Sequence, residues 1–173
     1  MKGACLVDTN VAITANGKNH MSAECVVACQ HSLNQLMLSG RLVIDDQWKI
    51  LGEYMNKLHP QGQPGLGDAF LKWVLTHQTN AQKVEMVSVI SQKDVSGNVS
   101  YKEFPDDTGL ADFDPSDRVF IAVAASHVER PPILQATDSK WLGKWNTALL
   151  NAGIKIDYLC EDELQQIYDR KFS

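Results

Sequence analysis

Two short apolar runs in this sequence each stop at an aspartate: Ala4-Cys5-Leu6-Val7 before Asp8, and Ile133 to Thr137 before Asp138. Runs this short, bounded by polar residues, read as strands buried on both faces rather than as helices. Such strands exist only where helices cover both sides of a sheet, so the rest of the chain must supply those helices. It does so in alternation. Ser22 is placed to cap a helix reaching Leu38, with Val26, Val27, Leu33, Leu36 and Met37 at helical spacing and Gly40 as its stop. Leu42 to Ile44 predicts a second strand. Asp45 and Asp46 are placed to cap a helix from Trp48 to Leu58 that contains Glu53, and Leu66 to Leu75 predicts another helix. Asp114-Pro115-Ser116-Asp117 reads as an N-cap, a proline at the first helical position and an acid at the third, before the apolar run Val119 to Ala124. A helix over Trp141 to Leu150, a strand over Ile154 to Leu159 and a terminal helix complete the pattern. The expected fold is α/β, a three-layer sandwich around a mainly parallel sheet. Lys83 to Tyr101 alternates about a Ser96-Gly97-Asn98 turn, which predicts a strand or hairpin insertion around residues 83–104.

Length and charge narrow the class. The 173 residues, 44% of them hydrophobic, suit one domain spanning 1–173. A net charge of −5 excludes a surface coated with positive charge for holding a polyanion, so any nucleic acid must be gripped locally. Cys5, Cys25, Cys29 and Cys160 lack the paired spacing of a zinc ribbon or a disulfide scaffold and read as thiols, with Cys25 and Cys29 four apart on one helix. The N-terminus has neither the apolar length of a signal peptide nor that of a membrane span, so a cytoplasmic protein without membrane attachment is expected.

Ligands of open parallel sheets bind beyond the carboxyl ends of the strands, where Asp8 and Asp138 are expected. Asp117, in the first turn of the helix before the Asp138 strand, and Glu53 are placed to join them. Four carboxylates at one sheet edge cannot all ionise without a cation, and oxygen ligands with no His or Cys point to Mg²⁺ or Mn²⁺. Each acid also has a structural alternative: Asp8 and Asp138 as helix caps, Asp117 as a capping-box acid, Glu53 as a solvated helix residue. Asp114 reads as a cap rather than a ligand.

The segments Leu6-Val7-Asp8-Thr9-Asn10-Val11, Asp117-Arg118-Val119-Phe120-Ile121-Ala122-Val123-Ala124 and Ala136-Thr137-Asp138-Ser139-Lys140-Trp141, in this order, resemble the PIN-domain nucleases, which include the VapC-type toxin ribonucleases. The resemblance implies a divalent-metal endoribonuclease with Asp8, Glu53, Asp117 and Asp138 as its acidic quartet, and Thr9, Asn10 and Thr137 as groups that orient the ligands or substrate. Asp45, Asp46 and Glu24 are the other candidates for the second acid. It also implies an RNA substrate, an antitoxin-like protein inhibitor and a homodimer, although the extra length from about Lys83 to Phe104 departs from a minimal toxin. Arg118, Lys140 and Lys144 lie nearest the acids in sequence and are the candidates for holding flanking phosphates.

Two other functions compete with the nuclease. One is a PIN-like module that keeps its acids but only binds within a larger RNA-associated assembly. The other is a phosphatase-like hydrolase with Asp8 as nucleophile, which Asn10 argues against by standing where a second aspartate belongs. Among weaker signals, Gly62, Gly65 and Gly67 read as a flexible turn rather than a phosphate loop, the five histidines have no metalloprotease spacing, and the tryptophans read as core or interface anchors.

Overall fold

A computed structural model describes residues 3–173. Its centre is a five-stranded sheet, every pairing parallel, in the order β3-β2-β1-β6-β7. The strands are β1 (Gly3–Val7), β2 (Gly40–Asp45), β3 (Val84–Val87), β6 (Ile133–Gln135) and β7 (Ile156–Tyr158), while β4 (Ser91–Lys93) and β5 (Val99–Tyr101) form a separate antiparallel hairpin. Helices α1 (Thr9–Ala15), α2 (Ala23–Ser39), α3 (Lys49–Lys57), α4 (Leu66–His77), α5 (Arg118–Ser126), α6 (Ser139–Gly143), α7 (Asn146–Asn151) and α8 (Glu161–Phe172) flank the sheet, consistent with a three-layer sandwich. From β1 the chain builds outward through β2 and β3, then returns to add β6 and β7 on the other side of β1. The order therefore reverses between β1 and β6, which is where such sheets open a crevice.

Both runs that predicted buried strands are shielded at their centres: Cys5, Leu6, Val7, Ile133 and Leu134 are 0% exposed, while Ala4 and Thr137 are partly buried. The buried α5 follows as expected. Asp114 accepts the Ser116 N–H at 3.2 Å, Pro115 opens a 3-10 turn through Asp117, and Val119 to Ala124 sink into the core. Asp45, fully buried, accepts the N–H groups of Gln47, Lys49 and Ile50 at 3.1, 2.9 and 2.9 Å, which caps α3 and removes Asp45 from the candidate ligands.

Four expectations need correction. The segment from Lys83 is not all insertion: Val84–Val87 pairs with β2 as an edge of the main sheet, and only β4 and β5 stand apart. Helix 141–150 is interrupted at Lys144 and Trp145, which lets Trp141 and Trp145 both pack on Phe113, with ring centroids 5.3 and 4.6 Å away. Gly67 is a packing residue rather than part of a flexible turn, because a Cβ there would stand 2.0 Å from the Ala12 carbonyl oxygen, where α4 meets α1. Finally, Cys25 and Cys160 are not free thiols. They form a disulfide with Cα atoms 5.4 Å apart, joining the start of α2 to the start of α8, while Cys5 and Cys29 remain free and buried. Sequence spacing hides this pair because its members are 135 residues apart.

No helix among the described residues is long and apolar enough to cross a membrane. The disulfide closes most of the chain into a loop and so restricts the unfolded ensemble. Reducing it is expected to lower unfolding stability by about 2–4 kcal/mol in denaturant titrations. Equal stability of the oxidised and reduced forms would show that the cross-link holds nothing the packing does not already hold.

Candidate acidic site at the carboxyl edge of the sheet

Beyond the carboxyl ends of β1 and β6 lies a pocket of about 400 Å³, and Asp8, Glu53, Asp117 and Asp138 all line it. Four separate elements deliver them. Asp8 ends β1 and caps α1, accepting the Asn10 N–H at 3.0 Å; Asp138 follows β6 and caps α6, accepting the Lys140 N–H at 3.2 Å. Asp117 stands at the junction of the 3-10 turn and α5. Glu53 comes from α3, which is pinned to the sheet by its neighbour: the buried Tyr54 hydroxyl donates to the Val7 carbonyl at 2.5 Å. The capping alternatives for Asp8 and Asp138 thus coexist with their place in the pocket, since a carboxylate has more acceptor sites than one cap uses.

The clamp between the two strands was not legible as a motif. Gln135, the last residue of β6 and 0% exposed, donates its amide N–H to Asp8 Oδ2 at 3.2 Å. Its Oε1 accepts the backbone N–H groups of Ala136, Thr137 and Asp138 at 3.1, 3.3 and 3.1 Å, and the side-chain amide of Asn10. Asn10 Oδ1 in turn accepts the Ala136 N–H at 3.0 Å. One buried amide therefore holds both the Asp8 carboxylate and the turn that presents Asp138. The signal available in the sequence was a polar residue inside an otherwise apolar strand, three positions before the acid. Asn10 and Thr137 both line the pocket, Asn10 held by this network and Thr137 by its backbone. Thr9 also lines the pocket, and its buried hydroxyl makes no hydrogen bond of regular geometry within the protein.

Charge at the pocket is strained in the direction the sequence predicted. Burial, chiefly, pushes the Asp8 carboxyl up to about 7, with Glu53 and Asp138 adding to the rise against the donors Asn10 and Gln135. Asp117 is pushed up to about 9, first by burial and then by the carboxylates of Asp8, Asp114, Glu53 and Asp138. Glu53 and Asp138 are raised as well, again mainly by burial; the nearby Thr9 hydroxyl, although not in regular hydrogen-bond geometry, works against the rise at Glu53. This donor set of carboxylates and a hydroxyl suits a hard divalent cation such as Mg²⁺ or Mn²⁺. The carboxylates stand around an open space; among the described residues, the metal-type ligands whose atoms already lie within 4.8 Å of one another are Cys25, Cys29 and Cys160.

The phosphate-holding candidates divide. Lys140 lines the pocket, as do Lys57 and Lys171, which sequence proximity missed because they arrive from α3 and α8. Arg118 does not: it is 3% exposed, pairs with Asp94 of the β4–β5 turn at 2.8 Å and donates to the Phe113 carbonyl at 2.9 Å. As the first residue of α5 it points away from Asp117 and anchors the hairpin. Lys144 is held by Asp112 at 2.5 Å and lies over the Trp145 ring, outside the pocket.

These shifts make a prediction for the metal-free protein. Each carboxyl is raised above its unfolded value, so between about pH 4 and pH 9 the folded state keeps protons that the unfolded chain has released. Stability contributed by the protonated forms is complete at the acidic end and is lost as the pH rises through this window. Asp117→Asn is therefore expected to stabilise the metal-free protein by about 1–2 kcal/mol near pH 8, and to flatten the pH dependence in denaturant titrations. An unchanged slope in that variant would show that Asp117 is not under this strain. No family model, no curated protein and no solved structure matches the chain, so the reading of this pocket rests on its own geometry.

Proposed function

We propose that the chain is a divalent-metal-dependent endoribonuclease of PIN-like architecture that hydrolyses RNA phosphodiester bonds at the Asp8, Glu53, Asp117 and Asp138 pocket. The observation that carries this reading is the meeting of four carboxylates from four elements at the β1–β6 crevice, where burial and mutual repulsion suppress their ionisation. Such an arrangement costs stability and is expected where a cation repays it. Asp8, Asp117 and Asp138 belong to the three segments that resemble the PIN-domain nucleases.

Mg²⁺ or Mn²⁺, when bound, supplies the positive charge that lets the acids ionise and makes water acidic enough to attack phosphorus. The protein does the remaining work. Gln135 and the Asn10 N–H hold Asp8 in place, so its free lone pairs face the pocket without reorganisation. The Thr9 hydroxyl, which lines the pocket beside Glu53, is available to orient a water or a phosphate oxygen. Lys57, Lys140 and Lys171 form the local cationic grip that a chain of net charge −5 needs to hold flanking phosphates. An RNA substrate, an antitoxin-like inhibitor and a homodimer belong to the same proposal through the resemblance.

The test is cleavage of mixed single-stranded and structured RNAs with Mg²⁺, with Mn²⁺ and with chelator. Asp8→Asn and Asp117→Asn are expected to keep the fold and lose at least about a hundredfold in rate, equivalent to roughly 2.7 kcal/mol of barrier. Lys57→Ala and Lys171→Ala are expected to weaken RNA binding and lower its salt dependence, whereas Lys144→Ala leaves both unchanged. Undiminished cleavage by both aspartate variants would overturn the assignment of the pocket. Tight RNA or protein binding without turnover by the wild type would favour a silent binding module.

A further inference from the structure

A second cluster lies away from the acidic pocket. Cys25 occupies the first turn of α2, Cys29 lies one turn further along the same helix, and Cys160 stands at the N-terminus of α8. All three are buried, Cys29 completely, and their sulfur atoms lie within 4.8 Å of one another. A disulfide uses two sulfurs; the third is what a structural cross-link does not need. A cleft of about 210 Å³ opens at Cys25 and Cys160, and its rim carries Glu24, Glu161, Asp162 and Glu163. Glu163 is already drawn across it, accepting the Ser22 N–H at 3.0 Å. Negative charge at the mouth favours entry of a cation and disfavours an anionic thiol reagent.

We propose that Cys25, Cys29 and Cys160, once the disulfide is reduced, form a thiolate site for Zn²⁺, so that this corner of the fold is closed either by a sulfur–sulfur bond or by a metal. Zinc–thiolate bonds of about 2.3 Å in a tetrahedral arrangement place sulfurs roughly 3.8 Å apart, a spacing the cluster reaches by separating Cys25 from Cys160 and leaving Cys29 near its place. Of the two disulfide partners, Cys160 is the one outside a helix, preceding α8 with a non-helical backbone (φ −131°, ψ 49°). The chemistry balances with a dithiol as co-reactant. The dithiol is oxidised to its disulfide, the Cys25–Cys160 bond takes up two electrons and two protons, and Zn²⁺ then displaces one proton from each of the three thiols. Three sulfurs leave a fourth position on the cleft side for water. The site is independent of the acidic pocket and of the function proposed for it.

The experiment uses the full chain, reduced with a non-chelating phosphine and freed of reductant without air. Reduced wild type is expected to bind one equivalent of Zn²⁺ in competition with a chromophoric chelator, and Co²⁺ in its place is expected to give a thiolate charge-transfer band in the near ultraviolet. The oxidised protein is expected to bind neither in this way. Cys29→Ala, which leaves the disulfide possible, is expected to weaken zinc binding by about a hundredfold or more, and Cys29→Ser, closer in size, is the second variant. Asp8→Asn and Asp117→Asn are expected to bind zinc at the sulfur site as the wild type does, which separates this site from the acidic pocket. No zinc uptake by the reduced protein, a cobalt spectrum without the thiolate band, or Cys29 variants that bind as tightly as the wild type would each overturn the proposal.

Discussion

The pairing of β1 with β6 is the contact on which the rest of the site depends. Leu6 and Val7 register against Ile133 and Leu134, and the Asp8 N–H donates to the Leu134 carbonyl at 3.0 Å. A slip in this register would turn neighbouring side chains to opposite faces and carry Asp8 away from Asp138. Gln135 makes the register chemical as well as geometric, because its single buried amide is bonded on both sides of the crevice. Such an amide is costly to bury unless nearly all its hydrogen-bonding capacity is met, and here it is met by groups that occupy the right positions only in this register.

From that pairing follows the electrostatic character of the pocket. The sheet brings in Asp8 and Asp138, α3 brings Glu53 under the hold of Tyr54, and the start of the buried α5 brings Asp117. Neutralising them internally would require a cation among them, yet Arg118, the nearest in sequence to Asp117, is spent on Asp94 and the Phe113 carbonyl. The lysines that do line the pocket are carried by α3, α6 and α8. The result is one edge of the core where burial works against charge.

The two ends of α8 meet different chemistry. Its N-terminal end is tied to α2 through Cys25 and Cys160, and its last turn brings Lys171 and Phe172 to the acidic pocket. Helix α8 also packs along α6, the helix that Asp138 caps. The cross-link therefore acts on an element that forms part of the pocket wall, although its sulfurs lie elsewhere.

How much of this was legible depended on whether the interaction was local. Strands that end in acid, the proline and aspartates before α5 and the helical spacing of α2 are each decided within a few residues, so periodicity and capping chemistry reveal them, and with them the α/β class and the candidate acids Asp8, Glu53, Asp117 and Asp138. Gln135 passes as one more residue of a predicted strand, Arg118 reads as a phosphate-binding cation and Cys160 as a thiol, because their partners Asp8, Asp94 and Cys25 stand 127, 24 and 135 positions away. Local pattern records what a residue does to its own helix or strand. Only the tertiary structure decides which distant group meets a buried amide, guanidinium or thiol, because that choice is made by the crossing of strands and the packing of helices, not by any spacing along the chain.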